Sequence, residues 1–315
     1  MIQIDLITGF LGAGKTTFLR GYANYLLRQG LEIGVLENDY GAVNVDRMLL
    51  SDLDGEHCDV EMVIGGDYDC HRRRLKTKLI AMGMSGYDRV LMEPSGIYDT
   101  DEFFDLLQEE PLNRWYQIGS VIAIVAADLP AQLSVEEQYL LAAQLSCAGA
   151  VLLSRTQEVS KERLQEVITA CNEALSKFHC KKQILLDLVY TEDFRTFDDQ
   201  TYEALTKAGY DTAEYVKLPV ARENEFTTLF YMNVHWSKEE LRGKVKALFA
   251  EKDCGNICRI KGFVPAEDGF YECNATPDQF EIKPAKTGQE ILLVIGENLN
   301  REKIDSFFDI TTIKG

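Results

Sequence analysis

Gly9-Phe10-Leu11-Gly12-Ala13-Gly14-Lys15-Thr16-Thr17 is the stretch that decides how this chain is read. An apolar run, Ile2 to Ile7, precedes it, and a segment with helical apolar spacing, Lys15 to Gln29, follows it. The pattern G-x-x-x-x-G-K-[ST] has a mechanism in that setting of strand, turn and helix. Its glycines let backbone N–H groups turn inward toward phosphate oxygens, and the helix brings its positive dipole end to the same point. Gly12, Ala13, Gly14, Lys15, Thr16 and Thr17 are therefore the expected phosphate cradle. Lys15 reaches the outer phosphates, and the Thr16 hydroxyl is placed to ligate Mg2+. The stretch implies a nucleoside triphosphate site.

Outward from it, Phe18, Leu19, Tyr22, Ala23, Leu26 and Leu27 repeat at helical spacing, and Gly30 supplies the stop. Short β-like runs follow at Leu31 to Leu36, Glu61 to Ile64, Tyr87 to Met92, Ile118 to Ala126, Ala150 to Leu153 and Lys182 to Val189. Helical segments lie between them: a basic one after Cys70, one opening on Ser134 with Glu137 in a capping-box pattern, and one from Ser160. Such alternation predicts an α/β domain with a mostly parallel sheet, covered on both faces by helices. Ligands of such folds bind at the carboxyl ends of strands. The P-loop, Asp39, Glu93 and Ser154 all fall there. The texture changes after residue 215, to aromatic and β-branched strands, a second capping box at Ser237 and Glu240, and a last helix from about Asn300. The expected organisation is a P-loop NTPase domain over 1–215 and a smaller α+β domain over 216–315.

The composition narrows the function class. With 33 Lys and Arg against 51 Asp and Glu, the net charge is −18, which argues against non-specific binding to nucleic acid or anionic lipid. The basic cluster Arg72-Arg73-Arg74 with Lys76 and Lys78 reads as a solvated helix face. No apolar run is long enough to span a membrane, and no signal-peptide pattern is present. Eight cysteines are scattered without the spacing of a secreted scaffold. The expectation is a soluble cytoplasmic protein.

The P-loop sequence resembles that of the CobW-like GTPases, relatives of the hydrogenase and urease nickel-insertion GTPases. Asn38-Asp39-Tyr40-Gly41 with Val45-Asp46 is similar to that family's switch segment, and Glu93-Pro94-Ser95-Gly96 to its E-x-x-G motif. Arg259 to Val264 and Ile295-Gly296 resemble points of its C-terminal domain. The resemblance implies a GTPase that loads or delivers a transition metal, commonly zinc or cobalt, to a client protein, with nucleotide state as the gate. It implies GTP (or another nucleoside triphosphate) and Mg2+ as cofactors. Lys15 and Glu93 take the catalytic roles, and Asp39 or Glu93 joins Thr16 at the Mg2+. No arginine finger can be named, so intrinsic turnover is expected to be slow.

Two departures matter. Where the family carries C-x-C-C, this chain has Asp67-Tyr68-Asp69-Cys70. Thiolates select zinc and softer metals, whereas carboxylates favour harder ions. Asp67, Asp69 and Cys70, with Asp39 or His71 near by, make a mixed transition-metal site, or else the segment is a polar loop that has lost the metal. Where the guanine-reading N-K-x-D motif is expected, after Val151 to Leu153, the chain reads Ser154-Arg155-Thr156-Gln157-Glu158. Arg155 can keep the Lys role along the base plane. Gln157 offers one acceptor and an NH2 donor, so it cannot reproduce the paired acceptors of a carboxylate. Glu158 substitutes only if the loop shifts by one residue. Two alternatives to metal delivery are carried forward: a metal-independent nucleotide switch that docks a protein partner through the second domain, and a small-molecule kinase, against which the E-x-x-G segment argues.

Overall fold

In the computed structural model, the described residues are 1–39, 50, 52–64, 68–130, 132–216, 226–277, 279–286, 288 and 290–308. They fall into two compact units, one up to residue 216 and one from 226 onward.

The first unit is built on six strands: β1 (Ile2–Thr8), β2 (Ile33–Asp39), β3 (Cys58–Ile64), β4 (Arg89–Pro94), β5 (Tyr116–Ala126) and β6 (Ala150–Ser154). Their order is β3-β2-β4-β1-β5-β6, every pairing parallel. The chain moves outward from β1 on one side to β2 and the edge strand β3, returns to β4 beside β1, then crosses to β5 and β6 on the other side. The carboxyl end of β1 therefore lies at the topological switch point, where open α/β sheets bind their ligands.

Alternation along the strands feeds two cores. Ile4 and Leu6 of β1 join Leu36, Val90 and Met92 on one face, whereas Ile7 joins Val35 and Leu91 on the other. Helix α1 (Lys15–Arg28) covers the second face with Phe18, Leu19, Tyr22, Ala23 and Leu26, all buried. Each large apolar side chain so buried contributes about 1.5–3 kcal/mol. Gly30, at φ 79°, ends the helix: its N–H donates to Leu27 O at 2.9 Å and that of Leu31 to Leu26 O at 3.3 Å. Helices α2 (Tyr68–Gly83), α3 (Thr100–Leu107), α4 (Leu112–Trp115), α5 (Val135–Ser146), α6 (Lys161–Lys177) and α7 (Asp199–Thr206) complete the unit. The capping box at Ser134 and Glu137 forms as its spacing implies. On α2, Arg72 and Lys76 pair with Glu109, and Lys78 with Glu61, so these basic residues serve local ion pairs.

One element departs from the sequence expectation. Lys182 to Val189 is not a strand; it holds a 3-10 turn, Leu186–Leu188, and a single parallel bridge, Tyr190 to Leu152, follows it. Leu185 and Leu188 are exposed, so the run lacks the buried face that would stabilise a further strand.

The second unit is an antiparallel sheet of β7 (Phe226–Met232), β8 (Asn256–Ala266), β9 (Gly269–Ala275), β10 (Phe280–Ala285) and β11 (Ile291–Glu297), in the order β10-β9-β8-β11-β7. Leu241, Val245 and Leu248 of α8 (Lys238–Ala250) and Ile304 of α9 (Arg301–Asp305) share a core with Leu292 and Val294 of the sheet. Ala266 pairs with Gly269, so the β8–β9 turn is Glu267-Asp268.

Candidate functional site

The P-loop joins β1 to α1. Gly14, at φ 95°, caps α1 and makes no side-chain hydrogen bond to the N–H groups of the first helical turn, the groups that meet phosphate in such loops. Lys15 is buried, and its Nζ donates to Gly9 O at 3.1 Å. Thr16 Oγ1 donates to Glu93 Oε1 at 2.9 Å, while Thr17 is exposed. Gly96, three residues beyond Glu93, packs on the loop so closely that a Cβ there would stand 2.5 Å from Leu11 N. Gln144 Nε2 of α5 holds the Gly96 carbonyl at 3.2 Å.

Sequence reasoning missed Glu37. It lies directly across from Glu93 in the β2–β4 register, on the α1 face of the sheet, and both are nearly inaccessible, at 2% and 6% exposure. Neighbouring strands run about 4.8 Å apart. Glu93 meets the Thr16 hydroxyl, and all three side chains offer oxygen, the donor type that a hard divalent cation takes. The signal existed only as a glutamate near the end of an apolar run; its partner is 56 residues away and is brought to it by strand register.

Three strand-end residues carry buried polar atoms with no protein partner: Thr8 Oγ1, both amide atoms of Asn38, and Ser154 Oγ. Buried polar atoms of this kind are normally paired by protein or by a bound molecule. All three stand at the carboxyl edge of the sheet.

On the β6 side, Arg155 sits in the left-handed region at φ 58°. Its Nη1 donates to Asp128 Oδ1 and Oδ2 at 2.8 and 2.9 Å, and its Nη2 to Gly12 O at 2.7 Å. The guanidinium is thus committed to the P-loop and to Asp128, and only its aliphatic stem is left to lie along a base. Asp128 is a second residue sequence reasoning did not single out. Gln157 is exposed on a 3-10 turn, Thr156–Glu158. Phe194 packs against the P-loop, its ring 3.3 Å from where a Gly14 Cβ would stand.

The expected transition-metal residues are only partly placed. Asp39 ends β2, and Asp69 and Cys70 lie in the first turn of α2, but their side chains, and all of Asp67, lie outside the described residues. His71, next along α2, is 1% exposed. Among the described residues, no three His, Cys, Asp or Glu are grouped as metal ligands, and no helix is long and apolar enough to cross a membrane.

Residues 3–185 match the family described as CobW/HypB/UreG, nucleotide-binding domain. The zinc chaperone YjiA of Escherichia coli (strain K12) is 31% identical over 180 residues, 54% of this chain and 55% of that protein. Zinc-regulated GTPase metalloprotein activator 1 of Schizosaccharomyces pombe is 25% identical over 191 residues, 58% of this chain and 45% of that protein. The chain spans about half the length of these curated relatives. The crystal structure of the Zn(II)-bound YjiA GTPase from E. coli aligns over 98% of both chains at 18% identity, with a TM-score of 0.36, too low to carry an argument.

Proposed function

Because the chain belongs to the CobW/HypB/UreG family, we propose that it is a P-loop GTPase that uses nucleotide state to gate delivery of a transition metal to a client protein. The observation that carries this reading is the Thr16–Glu93 contact, with Glu37 beside it, at the mouth of the phosphate loop. It joins the phosphate site to β4, and on the neighbouring strand β2 the two residues after Glu37, Asn38 and Asp39, begin the segment similar to the family's switch. The zinc-chaperone relatives support a metal as cargo.

In this reading the N–H groups of residues 12 to 17 and Lys15 hold the triphosphate and neutralise charge that builds on it during hydrolysis. Thr16, Glu93 and Glu37 offer hard oxygen donors that fit Mg2+, which when bound would supply positive charge to the phosphate oxygens. Glu93 orients the attacking water, whose oxygen bonds to the γ-phosphorus as the β–γ bridging bond breaks. The guanidinium of Arg155 is held by Asp128 and Gly12, so it is not the charge that completes the site, and slow turnover is expected. Asp39, Asp67, Asp69 and Cys70 are the proposed cargo ligands, and the second unit is the proposed client-docking module.

The test is a zinc and cobalt titration of the reduced full chain, with and without GTP and Mg2+, beside Cys70→Ala. Tight one-to-one binding that needs both nucleotide and Cys70 is the expected result. Absence of specific binding in either state would replace metal delivery with a metal-free switch acting through a protein partner.

A further inference from the structure

The Thr16–Glu93 contact fixes one end of a bound nucleotide: the terminal phosphates and their cation lie toward β4. In the strand order β4-β1-β5-β6 the nucleoside leaves the P-loop on the opposite side, over the ends of β5 and β6. Arg155 and Phe194 touch the P-loop there, at Gly12 and Gly14, and the Ser154 side chain borders Gly14 as well. The base of the nucleotide must be recognised by this group of residues.

Their register is pinned. Ala127 N–H donates to Ser154 O at 2.9 Å, Thr156 Oγ1 to Thr191 O at 2.6 Å, and Glu158 N–H to Arg155 O at 3.0 Å. With Arg155 also tied to Gly12 O, Glu158 cannot slide into the place of Gln157 without losing these bonds. Asp128, the other carboxylate at hand, already accepts from Arg155 through both oxygens. The exposed amide of Gln157 is left as the group that meets the polar edge of a base. The Ser154 hydroxyl, buried and without a protein partner, can donate to a purine N7, an atom adenine and guanine share.

Resting on the nucleotide reading above, we propose that this chain's base site takes adenine nucleotides at least as tightly as guanine nucleotides, with Gln157 as the residue that sets the preference. Guanine presents two adjacent donors, N1–H and the N2 amino group, and needs paired acceptors. Gln157 accepts one and turns its own NH2 on the other, leaving a donor unpaired. Adenine presents an acceptor, N1, beside a donor, the N6 amino group. The amide satisfies both: Nε2–H donates to N1, and Oε1 accepts from N6–H.

The experiment is calorimetric titration of the full chain in Mg2+ with the β,γ-imido analogues of ATP and GTP, for wild type, Gln157→Asp and Lys15→Ala. Wild type is expected to bind the ATP analogue as tightly as the GTP analogue or more so. Gln157→Asp, at an exposed position, is expected to shift the ratio toward GTP by about tenfold or more. A wild-type preference for GTP above about tenfold, or a ratio unchanged in Gln157→Asp, overturns the base assignment and leaves the nucleotide site standing. Failure of wild type to bind either analogue overturns both, and binding to Lys15→Ala equal to wild type places the triphosphate elsewhere.

Discussion

The Thr16 hydroxyl donates to the Glu93 carboxylate at 2.9 Å, across 77 positions of sequence. That one bond unites the first turn of the P-loop helix with the strand next to β1, and the first prediction tests it. Glu93→Gln keeps size and hydrogen bonding but removes a charge from the pair formed with Glu37. Hydrolysis should fall by about 10²-fold or more, and Mg2+ should add less to nucleotide affinity than in wild type. Steady-state turnover and titrations with and without Mg2+ measure both; wild-type turnover in the variant would remove Glu93 from the mechanism.

Lys15 is 6% exposed and its ammonium is held by Gly9 O at 3.1 Å, so the group is already positioned at the loop it serves. Lys15→Ala should abolish measurable triphosphate affinity and leave the far-ultraviolet circular dichroism of the protein unchanged. A variant that binds as wild type does would mean the phosphates lie elsewhere.

A third prediction concerns stability. Asp5, inaccessible in the middle of β1, accepts from Tyr22 Oη at 2.7 Å, Arg89 Nη1 at 2.9 Å and Ser120 N–H at 2.8 Å. Asp5→Ala leaves the part-buried Arg89 without its counter-charge and should cost about 3 kcal/mol, read by urea denaturation. Burial raises the Asp5 carboxyl above its ordinary 3.8, against the opposing pull of Arg89. The native state then holds this proton more tightly than the unfolded chain. The stability of wild type relative to Asp5→Asn should therefore be greatest below pH 3.8 and fall as pH rises through the native pKa. A difference that grows with pH would mean that the bonds from Arg89, Tyr22 and Ser120 outweigh burial at Asp5.

Thiol reactivity gives a fourth. Burial pushes the Cys147 thiol up to about 11 and those of Cys171 and Cys273 up to about 12. At pH 8 roughly one Cys147 in a thousand is thiolate, the reactive form. Alkylation of the native protein followed by peptide mass mapping should leave these three unmodified until denaturant is added. Rapid labelling of Cys171 would mean that α6 opens readily from the core.

What sequence alone could supply was local. The P-loop is a contiguous pattern, and the capping boxes at Ser134 and Ser237 occupy four residues each, so they were legible and they form. The apolar runs at β1, β4 and β5 are strong enough to place strands within a few residues. The run before Tyr190 failed because composition does not reveal whether a neighbouring strand offers a ladder; β6 gives it a single bridge. Glu37 and Asp128 escaped notice because each acquires its meaning from a residue far along the chain, Glu93 through strand register and Arg155 through an ion pair. The short helix Asp199–Thr206 also went unseen, since eight residues give too little periodicity to stand out.

The absence of a side chain at Gly96 has a mechanical result. Leu11 occupies the space that a Cβ on Gly96 would need, and Gln144 ties Gly96 to α5. A recoil of the phosphate loop toward Gly96 would press on a segment that is bonded to a helix with no residue in the phosphate loop. The same helix holds Asp99, the cap of α3, through Tyr139 Oη at 3.2 Å. Filling and emptying the loop would thus be felt as a displacement on the opposite side of the sheet, with glycine as the joint that keeps the linkage free of slack.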